Sequence, residues 1–168
     1  MAQKFIVLTN GQLAEKEAAT TSTGAADAGK IPALAGDGRL PESMMPVGIA
    51  ADIKVAVASE DLSAGDLVNI YDNAGTVTVR KADASNARHA HGFVKDAVTS
   101  GANATVYLEG TIIGKTGLTP GAAVYLGATA GSLTATAPAT AGQIVQEVGA
   151  AVSATEVTFE PQSPITLA

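Results

Sequence analysis

The chain contains neither cysteine nor tryptophan. The absence of Cys excludes disulfides, thiolate metal sites and Cys nucleophiles, and leaves the redox compartment open. Aromatic residues are only 4% of the chain, three Phe and three Tyr. Charged residues make up 15%, against about 25% in an ordinary globular domain. Positive charge is the scarcer sign: 10 Lys and Arg stand against 16 Asp and Glu, a net charge of -6. Phosphate contacts need clustered Lys and Arg, so no nucleic-acid partner is expected. No apolar run reaches the roughly 18 residues that span a membrane, and no membrane partner is expected. The N-terminus, Met1 to Leu8, carries one charged side chain and a short apolar run before Thr9-Asn10-Gly11, so no signal peptide is expected.

What is present is small and apolar. The 168 residues are 46% hydrophobic, mostly Ala and Val, and are punctuated by 18 Gly and 7 Pro. That length holds one domain with a real core, or one domain plus an arm.

The composition changes near residue 48. Phe5 to Leu8 reads as a short strand closed by the turn dipeptide Asn10-Gly11. Residues 14–29 are Ala, Thr, Glu, Gly and Ser with almost nothing bulky, too little apolar area to offset ordering, and are expected to be extended or mobile. Gly29 to Leu40 reads as a small hairpin around Gly36-Asp37-Gly38, and Pro41 to Met45 as one helical turn stopped by Pro46. The expected organisation is an extended N-terminal arm over residues 1–48, with a short hairpin and a helical turn, and a β domain over 49–168.

The second part is a series of short strand candidates. Ile53, Val55 and Val57 alternate with Lys54, Ala56 and Ala58. Leu67 to Tyr71, Thr76 to Arg80, Ala104 to Leu108, Ala122 to Leu126, Ser132 to Thr136, Ile144 to Val148 and Glu156 to Glu160 follow, mostly bounded by Gly, Asn, Asp or Pro. This pattern predicts an all-β fold, a small barrel or sandwich.

The domain also repeats itself. Leu62-Ser63-Ala64-Gly65-Asp66-Leu67-Val68 recurs 56 residues later (62 to 118) as Leu118-Thr119-Pro120-Gly121-Ala122-Ala123-Val124. The register holds to the hairpin tips, Ala74-Gly75-Thr76-Val77-Thr78 and Ala130-Gly131-Ser132-Leu133-Thr134. A strand crossing a glycine follows in each unit, His91 to Val94 and Val148 to Ala151. Each then ends in a similar strand, Val106 to Glu109 and Val157 to Glu160. Two such units predict a pseudo-twofold repeat in which each completes the other's core.

Few residues carry chemistry. His89 and His91, the two histidines, stand two apart, which places both rings on one strand face. Asp83 and Asp96 are near in sequence, but a metal site needs three or four ligands, and a polar surface strand is the simpler reading. Asp72-Asn73 and Asp37-Gly38 read as hairpin tips. No Gly-x-Ser-x-Gly is present and no acid is spaced to serve either His. Arg80, Lys81 and Arg88 form the one basic cluster, read as a solvated face. Glu109 and Glu160 occupy similar places in the two repeats and read as charges guarding strand ends. The expectation is a protein with no enzymatic activity, catalytic residues, cofactor or metal.

Two passages resemble known proteins. Gly29 to Pro46, with its Gly-Lys-apolar start, Asp-Gly-Arg-Leu centre and Ser-Met-Met-Pro end, resembles a module of bacteriophage structural proteins, found in tail fibres and head-associated proteins. Val79 to Ser85, Ala90 to Val94 and Ala104 to Gly110 resemble the β-barrel of tailed-phage capsid decoration, or cement, proteins. The resemblance implies a virion protein on the outer capsid surface that binds the major capsid protein as a homotrimer and bridges neighbouring capsomers. The alternative it leaves is a tail fibre, spike or head-fibre subunit. The apolar residues of the arm, Phe5, Ile6, Val7, Leu8, Ile31, Leu34, Leu40, Met44 and Met45, are the expected capsid-binding anchors.

Overall fold

A computed structural model describes residues 3–41, 44, 45 and 52–168. The chain divides into two compact units, Met1–Ala50 and Ala51–Ala168.

The first unit opens with a hairpin, β1 (Lys4–Thr9) and β2 (Gln12–Glu17). The strands pair antiparallel from Lys4 opposite Glu17 to Thr9 opposite Gln12. Asn10 and Gly11 both have positive φ, 51° and 79°. A two-residue turn whose twist matches the strands needs that conformation. Within the stretch expected to be extended or mobile, β2 extends through Glu17, and Ala25–Asp27 makes a 3-10 turn. The Asp27 carboxylate supplies the missing stabilisation. It accepts hydrogen bonds from the Thr23 backbone N–H and hydroxyl and from Lys30. The Lys30 ammonium first, then the Thr23 donors, hold its pKa well below the usual carboxylate range.

The hairpin expected over Gly29 to Leu40 is a tight turn without a strand pair. Ala35 donates to the Arg39 carbonyl and Gly38 to that of Ala35, while Pro32 bridges in parallel to Ala19. Of the expected helical turn, Met44 donates to the Pro41 carbonyl; Glu42, Ser43 and Pro46 lie outside the described residues.

The second unit is all β. Its first five strands are β3 (Ile53–Ala58), β4 (Leu67–Asn73), β5 (Thr76–Lys81), β6 (Gly92–Val94) and β7 (Asn103–Tyr107). They close into a barrel in the order β3-β5-β4-β6-β7. Closure is made by a parallel pairing of β3 with β5, Val57 opposite Thr78 and Ala58 opposite Val79. The remaining strands are β8 (Gly110–Ile112), β9 (Ala123–Leu126), β10 (Leu133–Thr134), β11 (Ile144–Val145), β12 (Glu147–Ala151), β13 (Val157–Phe159) and β14 (Ile165–Thr166). Five of them form an open sheet, β10-β9-β12-β13-β8, and β11 pairs with β14.

The two sheets are the predicted repeat. Each starts with a strand that pairs antiparallel to the last one of its own unit, β3 with β7 and β8 with β13. Each contains a hairpin, β4-β5 and β9-β10, and joins the next strand to the hairpin's first, β6 to β4 and β12 to β9. Gly65 and Gly121 both have positive φ and donate to equivalent carbonyls, those of Val94 and Ala151. The sequence pattern did not anticipate β8 or β14. β8 is three residues long, and its equivalence to β3 follows only from the 56-residue offset. The strand expected over Ile144 to Val148 is interrupted at Gln146, whose side chain is turned to other work.

Two cores follow from the alternation. The barrel interior holds Ala56, Ala58, Leu62, Val68, Val79, Val94, Ala104 and Val106. The neighbouring residues Leu67, Ala82 and Phe93 point the other way. They pack with Ile112, Val124, Leu126, Val148, Val157 and Phe159 of the open sheet. Phe93 lies against both Tyr107 and Phe159, at centroid distances of 5.6 and 5.5 Å. One sheet therefore wraps on itself, and the other wraps on the outside of the first.

Candidate interaction site

Hairpin alternation divides the expected anchors of the first unit. Phe5 and Val7 are half-buried on one face of β1. Ile6 and Leu8 are on the other, 69% and 71% exposed. Leu8 is paired with Leu13, itself 77% exposed. Ile6, Leu8 and Leu13 thus form one apolar patch, bordered by the ion pair of Lys4 with Glu15 at 2.8 Å. Leu13 is an addition to the anchors expected from the sequence. The two-residue turn at Asn10-Gly11 fixes its register opposite Leu8 and was the signal for it.

Ile31, Leu34, Leu40 and Met45 are also exposed, and Met44 is half-buried. Met44 lines a small cleft with Ala19, Asp27, Lys30 and Pro32. The one buried apolar residue among those described in this unit is Ala33. A unit with so little core presents these large apolar side chains outward.

The histidines do meet, as their spacing predicts. Their ring centroids are 4.3 Å apart, edge to face with the planes at 66°. They lie in the extended segment leading into β6 rather than in a strand. That segment is clamped from both sides. Buried Asn69 donates to the His89 carbonyl at 2.9 Å and accepts from Arg80 Nε at 3.0 Å. Buried Gln146 accepts from the Ala90 N–H at 2.7 Å and donates to the carbonyls of Ala90 and Gln162. The Ile70 N–H donates to His91 Nδ1 at 2.9 Å. That bond requires an unprotonated Nδ1, and burial first, then the His89 charge, lowers the His91 pKa.

The nearby carboxylate is committed elsewhere. Asp83 accepts from the Ser85 N–H and hydroxyl and from Asn86. Burial pushes its pKa up, but these donors and the Arg88 charge outweigh it and leave the pKa below the usual value. Among the described residues no group of three His, Asp or Glu is placed to hold a metal ion.

The basic cluster is likewise not an open patch. Arg80 lies over the Tyr71 ring at 4.1 Å, and Lys81 pairs with Asp66 at 3.5 Å. Tyr107 is stacked on Phe93 and covered by Lys95 at 3.9 Å. Tyr71 and Tyr107 therefore each carry a cation over one ring face.

A cleft of about 690 Å³ in the second unit runs between the barrel and the open sheet. Thr111, Ile112, Ile113 and Gly114 line one side, and Gly65, Phe93, Val94 and Lys95 the other. Ile113 is 68% exposed there.

No family model matches the chain, and no curated protein matches it. Among solved structures it is similar to the head fiber gp8.5 N base of bacteriophage phi29, at 14% sequence identity and a TM-score of 0.45, over 66% of this chain and 95% of that one.

Proposed function

We propose that this chain is a structural virion protein that decorates and stabilises the outer surface of a tailed-phage capsid. It bridges neighbouring capsomers, works as a homotrimer, and has no catalytic step to perform. The observation that carries the reading is the contrast between the two units. The second unit holds two hydrophobic cores of buried residues. The described residues of the first unit bury Ala33 alone and expose Ile6, Leu8, Leu13, Ile31, Leu34, Leu40 and Met45. A unit of that kind gains most of its stability from the surface it docks on, and binding only the assembled shell stabilises that shell by mass action. Phe5, Val7 and Met44 complete the set of proposed anchors. The resemblance of Gly29 to Pro46 to a phage structural module supports the same reading.

The test is removal of residues 1–48. The remaining chain is expected to keep its far-UV circular dichroism and cooperative melting and to lose binding to purified capsids in a sedimentation assay. Undiminished binding would remove the anchors from the account.

A further inference from the structure

The internal repeat points to the surface through which copies of the chain join. β3 and β8 hold equivalent places in the two repeats, and so do β5 and β10. In the first repeat these two edges meet and close the barrel. In the second they are the opposite ends of an open sheet, with no further strand beside either among the described residues.

Side-chain size explains why the second sheet stays open. The concave face of the barrel has Ala56 where the open sheet has Ile112, and Leu108 where it has Phe159. Ile112 and Phe159 are both fully buried, and the space they hold open is filled by Leu67 and Phe93 from the outside of the barrel. The sheet cannot curl onto itself while those residues occupy it.

The open edges are guarded only at their ends, where Glu109 and Lys115 flank β8 and Pro138 follows β10. Exposed edges are normally protected by charge, proline or a covering element. Gly110 to Gly114 and Ser132 to Ala137 contain no charged residue and no proline. The cleft of about 690 Å³ runs along β8, with Ile113 exposed beside it.

We propose that β8 of one copy pairs in parallel with β10 of the next, reproducing between copies the closure that β3 and β5 make within one. The 56-residue offset gives the register: Val57 opposite Thr78 becomes Ile113 opposite Thr134, and Ala58 opposite Val79 becomes Gly114 opposite Ala135; Ile113 and Gly114 follow directly on β8 and Ala135 on β10, so the pairing extends both strands at these ends. The occupant is a second copy because its β10 edge is the repeat's own counterpart of a strand that pairs in this geometry within the barrel. Strand addition of this type takes its affinity from main-chain hydrogen bonds and its specificity from alternate side chains. A contact between two unlike edges is heterologous, and heterologous contacts that close make rings. The inference rests on the proposed trimer for the number of copies in the ring; its register does not.

The absence of cysteine makes the test clean. Full-length chains carrying Ile113→Cys and Thr134→Cys separately are co-expressed, purified and treated with a short bis-maleimide. The expected product on a denaturing gel is a covalent dimer from the mixture and none from either variant alone, because like positions do not meet in a heterologous ring. Light scattering of the untreated wild-type protein is expected to give three copies. Ile113→Lys, which puts a charge on the open edge, is expected to give one copy with unchanged circular dichroism. A three-copy wild-type mass without cross-linking of the mixture would overturn this interface and leave the trimer standing. A single-copy wild-type mass would overturn both.

Discussion

His91 shows how a single contact sets a protonation state. Its Nδ1 accepts the Ile70 N–H, so a proton there would face a donor it cannot bind. Burial and the neighbouring His89 push the same way, and the folded pKa lies below the ordinary 6.5. The unfolded chain therefore takes up the proton first. The contribution of His91 to stability is complete above pH 6.5 and is lost as the pH falls through the folded value. Urea midpoints measured from about pH 7.5 down to about pH 5 are expected to fall for the wild type and to fall less for His91→Gln. Parallel curves would contradict this assignment. The meeting of the two rings was legible from their spacing. The clamp around them was not, because Asn69 and Gln146 are 20 and 56 residues from their backbone partners in sequence, and nothing local distinguishes them from other amides.

Strand crossings depend on two glycines at equivalent places in the repeats. At Gly149 φ is 144°, and a Cβ there would sit 1.8 Å from the Thr158 carbonyl oxygen in β13. A Cβ at Gly92 would sit 2.5 Å from Val106 Cγ1 and 2.6 Å from the Tyr107 carbonyl oxygen in β7. Both contacts involve the neighbouring strand's backbone, which has no room to yield. Gly149→Ala combines that overlap with a strained φ and is expected to cost about 3 kcal/mol or more, and Gly92→Ala somewhat less. Chemical denaturation of both variants checks the order. A loss below about 0.5 kcal/mol at Gly149, the range of an ordinary surface change, would mean that β12 and β13 do not approach this closely.

The strands themselves were largely readable. Val, Ile and Thr alternate with polar or small residues between turn glycines, and the repeat registered the two sheets against each other. The exceptions have physical reasons. β8 and β14 are too short to show a period. The arm residues 14–29 lack bulk, yet part of them is ordered by strand pairing and by the Asp27 carboxylate, neither of which leaves a hydrophobic signal. The apolar residues proposed as anchors were legible as scattered positions, but which of them share a face was set by hairpin register, and that register brought Leu13 beside Leu8.

At the scale of the molecule, one repeat closes a barrel and the other covers it. Ala56, Ala58 and Ala104 make the first sheet narrow enough to close. Ile112 stands where the barrel has Ala56, and Phe159 where it has Leu108, so the second sheet stays open, packs on the barrel and leaves two edges exposed. The N-terminal unit adds an apolar surface with almost no core beneath it. The proposal that the chain works as part of a phage shell makes a quantitative demand. A decoration protein is present at a copy number comparable to that of the major capsid protein. A fibre or spike is present in far fewer copies. Quantitative mass spectrometry of purified virions measures this directly. The account predicts a copy number comparable to the shell subunit's; a handful of copies per particle, or absence from the particle, would contradict it.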